Sequence, residues 1–255
     1  MSETTPISEA ERAAWEGDGF LVVRGLFDAA AMAQIAEWAR ALETWPEIPG
    51  SWMKYYEDSL TSPGLRVLSR IENFVPCHAG LAAVVGGEAL AGRVAALFGE
   101  PVVLFKEKVN FKLPGGGGFA AHQDIQAGWD AYAENFITAL LSIDPATEAN
   151  GCLEMAASHH RRGSLGEPWR PLDDDDLEGV TFTALPTAPS DAVFFDAFAP
   201  HRSAANTTAE ARRVLYVTYN RTAEGDHRLR YYADKRASYP PDCEREPGKA
   251  YVFRV

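Results

Sequence analysis

The chain has 255 residues, 46% hydrophobic and 24% charged, an ordinary globular composition with enough apolar mass for a sizeable core. Its formal net charge of -12 speaks against nucleic acid as a partner, because phosphate recognition needs a basic face. Three scattered cysteines (Cys77, Cys152 and Cys243) make neither a disulfide framework nor a zinc knuckle, and they suit a reducing, cytoplasmic setting.

The N-terminal stretch "MSETTPISEAERAAWEGDGF" is acidic and polar, so no signal peptide is expected. No apolar run is expected to reach the roughly 18 residues of a membrane span, and no membrane partner is predicted. Helix signals crowd the first hundred residues. Ser8 and Glu11 form a capping-box pattern ahead of a helix that stops at glycine. Asp28 is the N-cap of a second helix, with Met32, Ile35, Ala39 and Leu42 on one stripe. "GEALAGRVAALFGE" predicts a third helix that ends at Gly99.

After Pro101 the pattern becomes strand-like. In "VVLFKEKVNFKLP" the residues Lys106, Lys108, Asn110 and Lys112 alternate with Phe105, Val109, Phe111 and Leu113. "FITALLSID", "GCLEMAA", "GVTFTALP", "DAVFFDAF" and "RVLYVTYN" are further strands, separated by turn residues. Many short strands without intervening helices predict an antiparallel sandwich or barrel with the early helices packed outside. No linker or internal repeat divides the chain. One domain over 1–255 is expected, with 1–100 mainly helical support, 101–222 the β core and 223–255 a C-terminal extension. The run "DDDD" at 173–176 is read as a solvated loop, His159 and His160 as an exposed turn, and Cys152 as a small core residue.

One stretch stands apart: "FKLPGGGGFAAHQDIQAGW" at 111–129. On an extended segment His122 and Asp124 point the same way, so both can grip one metal ion. Glycines before them let the chain turn tightly and leave room for a ligand. Far downstream His201 follows a strand, and Arg212 begins another. Two imidazoles and one carboxylate are the facial triad of non-haem Fe(II) oxygenases, which leaves three octahedral positions for a 2-oxo acid and dioxygen. A buried arginine nearby would pair bidentately with the far carboxylate of that acid.

These segments, with "GFLVVRGLFDAA", "NGCLEMAASHHRRG" and "HRSAANTTAEARR", resemble the phytanoyl-CoA dioxygenase superfamily of Fe(II)/2-oxoglutarate-dependent oxygenases. Within it, "FKEKVNFKLPGGGGFAAHQD", "YYADKR" and "SYPPDCERE" look most like bacterial 2-aminoethylphosphonate dioxygenases. The resemblance implies a mainly β fold with flanking α-helices around a double-stranded β-helix (jelly-roll) core. It implies Fe(II), 2-oxoglutarate and dioxygen as cofactor and cosubstrates, and hydroxylation of an unactivated carbon. Carried over by position, His122, Asp124 and His201 would be the metal ligands and catalytic residues. Arg212 would anchor 2-oxoglutarate, supported by Ser203, Asn110 and Thr138. The resemblance has one departure, "AAHQD" where relatives often have proline or tryptophan before the histidine, and it touches no ligand.

The expected partner is a small polar or zwitterionic molecule, with an aminoalkylphosphonate first in line, and the oligomeric state stays open. Lys106 and Lys108 would meet an anionic group if their strand face turns inward, or lie solvated if it does not. Arg70 is another candidate anion contact. Trp129 and Tyr132 would hold a substrate ammonium by cation–π attraction or simply pack a lid. Other readings stay open: the same chemistry on a larger natural-product or amino-acid-derived substrate, a Zn or Mn cupin-type isomerase or hydrolase, or a binding module without activity.

Overall fold

The computed structural model describes residues 7–252. The first residues of the acidic N-terminal stretch and the last of the C-terminal extension therefore lie outside the described residues. Helix α1 (Glu9–Asp18) starts where its capping box predicts: Ser8 Oγ accepts the Glu11 N–H and the Glu11 carboxylate accepts the Ser8 N–H. It stops at Gly19, whose φ of 80° is left-handed. After the short strand β1 (Phe20–Val23), Asp28 caps α2 (Ala29–Thr44) by accepting the Ala31 N–H, and α2 buries Met32, Ile35, Ala39 and Leu42.

The first hundred residues also hold strands without a clear sequence signature, β2 (Met53–Asp58) and β3 (Arg66–Glu72). The predicted single helix before Gly99 is instead α3 (Ala79–Val85), a π-helical turn (Glu88–Gly92) and α4 (Arg93–Phe98). Gly86 and Gly87 interrupt it. Contrary to the expectation of no span-like run, Ala79–Phe98 taken together has the length and mean hydropathy (1.6) of a membrane-crossing segment. In this fold it is broken, and Leu81, Val85, Leu90, Val94 and Leu97 enter the core.

The remaining strands are β4 (Val102–Lys112), β5 (Phe119–His122), β6 (Phe136–Ser142), β7 (Leu153–Met155), β8 (Thr183–Leu185), β9 (Ala192–Asp196), β10 (His201–Ser203) and β11 (Arg212–Arg221). Helix α5 (Arg228–Ser238), which the sequence did not announce, follows. Among the described residues the strands form an antiparallel seven-stranded sheet, β1-β9-β6-β11-β4-β3-β2, and a four-stranded one, β5-β10-β7-β8. This is the expected jelly-roll architecture, mainly β with flanking helices.

Alternation decides what each face of the large sheet does. Val109, Phe111, Ile137, Ala139, Leu215 and Val217 turn outward into one apolar layer with α2, α3 and α4. The inner face packs Leu140, Val193, Phe195 and Val214 against Leu153 and Met155 of the small sheet. In the same register the polar residues of β4 turn inward: Lys106 lies opposite Thr218, Lys108 opposite Tyr216, Asn110 opposite Val214 and Lys112 opposite Arg212.

Helix α5 is polar over most of its surface and buries only Tyr231 and Tyr232. Ion pairs tie it down. Glu107, fully buried on β4, accepts from both ends of the bond set that locks α5: Arg228 at 2.8 Å and the Tyr232 hydroxyl at 3.2 Å. Its carboxylate also accepts the Val75 N–H at 2.9 Å. Glu107→Ala removes the one buried carboxylate that Arg228 and Tyr232 share and leaves Arg228 only its hydrogen bond to Asn73 Oδ1, a loss of about 3–5 kcal/mol. At roughly 2–4 °C per kcal/mol for a chain of this size, its melting temperature is expected to fall by at least about 6 °C in a thermal scan. A shift under about 2 °C would mean the anchor does not hold α5.

Candidate metal centre and substrate cleft

His122 ends β5 and His201 begins β10, and the two are direct cross-strand partners. Their rings lie 4.2 Å apart, centroid to centroid. Asp124 follows in a 3-10 turn (Asp124–Ala127), where its Oδ1 lies 3.9 Å from each histidine Nε2. One ligand atom from each residue falls within 4.8 Å of the other two, a spacing that a single ion can bridge. Each Nδ1 sits beside a backbone carbonyl, Ala120 O at 2.8 Å for His122 and Ala199 O at 3.0 Å for His201. Donation there puts the proton on Nδ1 and leaves the Nε2 lone pair facing Asp124, the arrangement of a metal-ligating histidine.

Electrostatics favours the same protonation states. Burial, reinforced by the neighbouring His201, pushes His122 down to about 3, and burial also lowers His201, so both rings are neutral. For Asp124 burial acts upward, but the two imidazoles and Lys108 outweigh it, so the carboxyl stays ionised. Neutral imidazoles and an ionised carboxylate are the forms that bind a divalent cation.

Side chains unnoticed in the sequence hold this turn. Gln123, between the two ligand candidates, points the opposite way and is fully buried. Its amide donates to Gly163 O and Phe198 O and accepts the Leu165 N–H, while Gln126 donates to Glu167 O and Arg170 O. Thr138, expected near a cosubstrate, lines the space beside the triad, donates to Asp124 Oδ2 at 3.1 Å and exchanges a hydrogen bond with Thr218 at 2.9 Å.

A small interior space of about 30 Å³ opens beside the triad, lined by Asn110, Ser203, Tyr216 and Thr218 among others. Arg212 stands behind Tyr216, only 1% exposed. Its Nη1 donates to Gly151 O, while Nε and Nη2 are buried without a hydrogen bond, as is Asn110 Oδ1. Nε and Nη2 form the edge of a guanidinium that takes a carboxylate bidentately. The two orphaned guanidinium donors therefore suit the distal carboxylate of a 2-oxo dicarboxylate.

Two glycines make that corner possible. A Cβ on Gly118 would lie 2.5 Å from Ser203 O, and one on Gly151 (φ 72°) 2.0 Å from Ala204 O. Only residues without side chains can press against the segment that follows His201 from both sides.

Outward from the triad a cleft of about 640 Å³ runs to α5 and the C-terminal segment. Lys106, Lys108 and Trp129 line its inner end, and Arg70, Tyr132, Tyr231, Lys235 and Tyr251 line it farther along. The Trp129 ring, read as either an ammonium contact or lid packing, lines the cleft and carries the Lys106 ammonium at 4.8 Å. Glu72, missed in the sequence, is 1% exposed and pairs with Arg70 at 2.7 Å and with Lys235 of α5 at 2.5 Å. Tyr132 donates to Asp234 at 2.8 Å near the mouth.

His159 departs from the exposed turn expected for it. It is buried, and His160 packs on Gly19, because the Ser158 N–H donates to Asp18 O at 3.0 Å and docks this segment on the end of α1. Cys152 is buried as expected.

Comparison with known proteins gives one family and one fold. The family model "Phytanoyl-CoA dioxygenase (PhyH)" matches residues 15–214. The chain is 41% identical over 245 residues to a 2-aminoethylphosphonate dioxygenase from an uncultured bacterium (HF130_AEPn_1), covering 96% of this chain and 93% of that one. It is 38% identical over 240 residues to a methylphosphonate hydroxylase from Gimesia maris, covering 94% and 90%. Among solved structures, EctD from S. alaskensis with 2-oxoglutarate and 5-hydroxyectoine matches with a TM-score of 0.72 at 20% identity, covering 100% of this chain and 89% of the other.

The geometry makes a direct prediction about metal binding. Anaerobic calorimetry with Fe(II), or with Mn(II) in its place, should find one strong site per chain in the native protein and none in Asp124→Ala or His201→Ala. Binding retained at native strength by either variant would remove that residue from the ligand set.

Proposed function

The chain belongs to the phytanoyl-CoA dioxygenase family and is an oxygenase dependent on Fe(II) and 2-oxoglutarate; we propose that its substrate is a small phosphonate, hydroxylated on carbon. In this reading His122, Asp124 and His201 would hold the iron through Nε2, Oδ1 and Nε2. Iron(II) bound there, with 2-oxoglutarate and dioxygen, supplies the oxidising power that turns C–H into C–OH as 2-oxoglutarate leaves as succinate and carbon dioxide. Thr138 fixes the second Asp124 oxygen, so that Oδ1 faces the histidines. The Nε–Nη2 edge of Arg212 takes the distal carboxylate of 2-oxoglutarate, Ser203 donates to it, and Asn110 faces the cosubstrate from β4.

The observation that supports a phosphonate is the state of two lysines. Lys106 and Lys108 turn into the cleft beside the triad, and neither makes a hydrogen bond or close ion pair among the described residues. Their ammonium groups lie only against rings, Lys106 near Trp129 and Lys108 at 4.9 Å from Tyr216. Burial, with Lys106 next to it, pushes Lys108 down to about 7. Two cations kept without partners beside a metal site are poised for an anion of high charge density. Of the carboxylates on the cleft wall, Glu72 is already shared by Arg70 and Lys235, and Asp124 belongs to the ligand triad. An amine on the substrate would lie farther out, toward Tyr132 and Asp234. Aromatic packing of Phe105, Trp129, Phe136 and Tyr231 keeps the inner end dry.

The cleft volume of about 640 Å³ supports a second reading, the same chemistry on a larger anionic molecule. The free state of the three cysteines fits the cytoplasm as the proposed location.

Succinate release measured with methylphosphonate and 2-aminoethylphosphonate tests the proposal: turnover should need Fe(II), 2-oxoglutarate and the phosphonate together. Lys108→Met is expected to raise the phosphonate KM roughly tenfold or more, the value of one lost charge-assisted hydrogen bond, and to leave 2-oxoglutarate affinity unchanged. Succinate release that no small phosphonate stimulates would sink this substrate class and favour the larger one.

A further inference from the structure

Trp169 lines the cleft, is 50% exposed, and has a φ of 64°. That left-handed conformation is a strained one for so bulky a side chain, and it persists only where neighbours over-determine it. Here they do. The Trp169 N–H donates to Gln126 O at 2.7 Å, and the Gln126 side-chain amide donates to Glu167 O at 3.0 Å and Arg170 O at 3.1 Å. Gln123 fixes the chain that leads to it, through Gly163 O and the Leu165 N–H. On the other side Arg170 pairs with Asp173 at 2.7 Å and Asp176 at 2.9 Å, so two members of the acidic run brace the same turn.

All this holds a ring that belongs to none of the apolar core clusters among the described residues. The indole is seated on Gly128, where a Cβ would lie 2.3 Å from its Cζ2. Ala127 and Ala131 line the cleft with it, as do Ala250 and Val252 of the C-terminal segment. Asp234 and Lys249, which also line the cleft, already have ion partners in Arg230 and Glu246. The indole is therefore the large uncommitted surface, and it is an apolar one.

We propose that Trp169 is a specificity-determining residue, a preset apolar platform for the part of the substrate that extends away from the lysines, and that the phosphonate carries a hydrocarbon tail. A cleft of about 640 Å³ is of the size that encloses such a molecule, and a one-carbon phosphonate at Lys106 and Lys108 would fill only its inner end. This rests on the phosphonate reading above and adds what the far end of the substrate is made of.

The test is read by binding, not turnover. Native protein, Trp169→Ala and Trp169→Gly, each loaded with Mn(II) and 2-oxoglutarate, are titrated calorimetrically and anaerobically with methyl-, butyl- and hexylphosphonate. The native protein should favour hexyl- over methylphosphonate by roughly tenfold or more, the value of covering about half an indole. In both variants that ratio should fall by about tenfold. Trp169→Gly should also melt above Trp169→Ala, because glycine takes a left-handed φ without strain. A native protein that gains nothing from the longer chain, or a ratio that neither variant changes, would overturn the role of Trp169. Trp169→Ala melting as high as Trp169→Gly would overturn its preset conformation. Native protein that binds none of the three phosphonates would instead overturn the functional reading beneath it.

Discussion

Everything in the site depends on the register between β4 and β11. Those strands pair over most of their length, so that from Lys106 to Lys112 the even-numbered residues of β4 face inward opposite Thr218, Tyr216, Val214 and Arg212, up to the register shift at Thr218/Tyr219. A slip of one residue would put Lys106, Lys108, Asn110 and Lys112 against α2, α3 and α4, and would turn Val109 and Phe111 toward the metal ligands. The apolar layer beneath the helices makes that slip prohibitive. Val109, Phe111, Leu215 and Val217 are all fully buried there, and each contributes about 1.5–3 kcal/mol by leaving water. Hydrophobic burial on the outer face therefore forces cations onto the inner one. A catalytic interior rich in positive charge is held in place by a core that has no part in the chemistry.

The cations fall into two groups. Arg70 and Lys235 share the Glu72 carboxylate, Arg228 has Glu107, and Lys112 is saturated by two carbonyls and a hydroxyl. Those groups are satisfied and hold structure. Lys106 and Lys108 line the cleft beside the histidine pair without a hydrogen bond among the described residues, and Arg212, behind Tyr216, keeps Nε and Nη2 buried without one. A fold does not leave buried polar atoms unpaired at random, since each costs about 1–3 kcal/mol. In the function proposed above, their placement on two sides of the triad suits two anionic ligands, a carboxylate on the Arg212 side and a substrate head group on the lysine side.

Sequence patterns disclosed the parts of this that are local. The capping residues Ser8 and Asp28, the α2 stripe and the alternation of β4 follow from neighbours three or four positions apart, or two in a strand. The pairing of His122 with Asp124 is local too, while His201 and Arg212 became legible through resemblance to a family. The hidden parts lack such a signal. Strand β2 reads "MKYYED" and β3 "RVLSRIE", too polar for a buried strand until Lys54, Arg70 and Glu72 are seen to find partners inside. Helix α5 buries two tyrosines and presents no apolar stripe, so nothing in "RLRYYADKRAS" announced that it packs on β4. The Glu72–Lys235 pair joins residues far apart in sequence, and a single chain has no pattern that links them.

This division has a physical consequence for how such a site can change. The metal ligands and the Arg212 corner are set by strand ends and by close backbone approach at Gly118 and Gly151, where a single methyl group would collide. That half tolerates little. The outer wall of the cleft comes from α5 and the segment after it, which are attached to the barrel mainly by two buried carboxylates, Glu107 and Glu72. Residues such as Asp234, Ser238 and Tyr251 line the cleft without bearing on the jelly-roll core, so they can be exchanged without disturbing strand register. The oxidative chemistry is therefore built into the rigid half, while the shape and charge offered to the far end of a substrate reside in an element strapped on by ion pairs. Two chains could share the first half closely and still differ in what they oxidise.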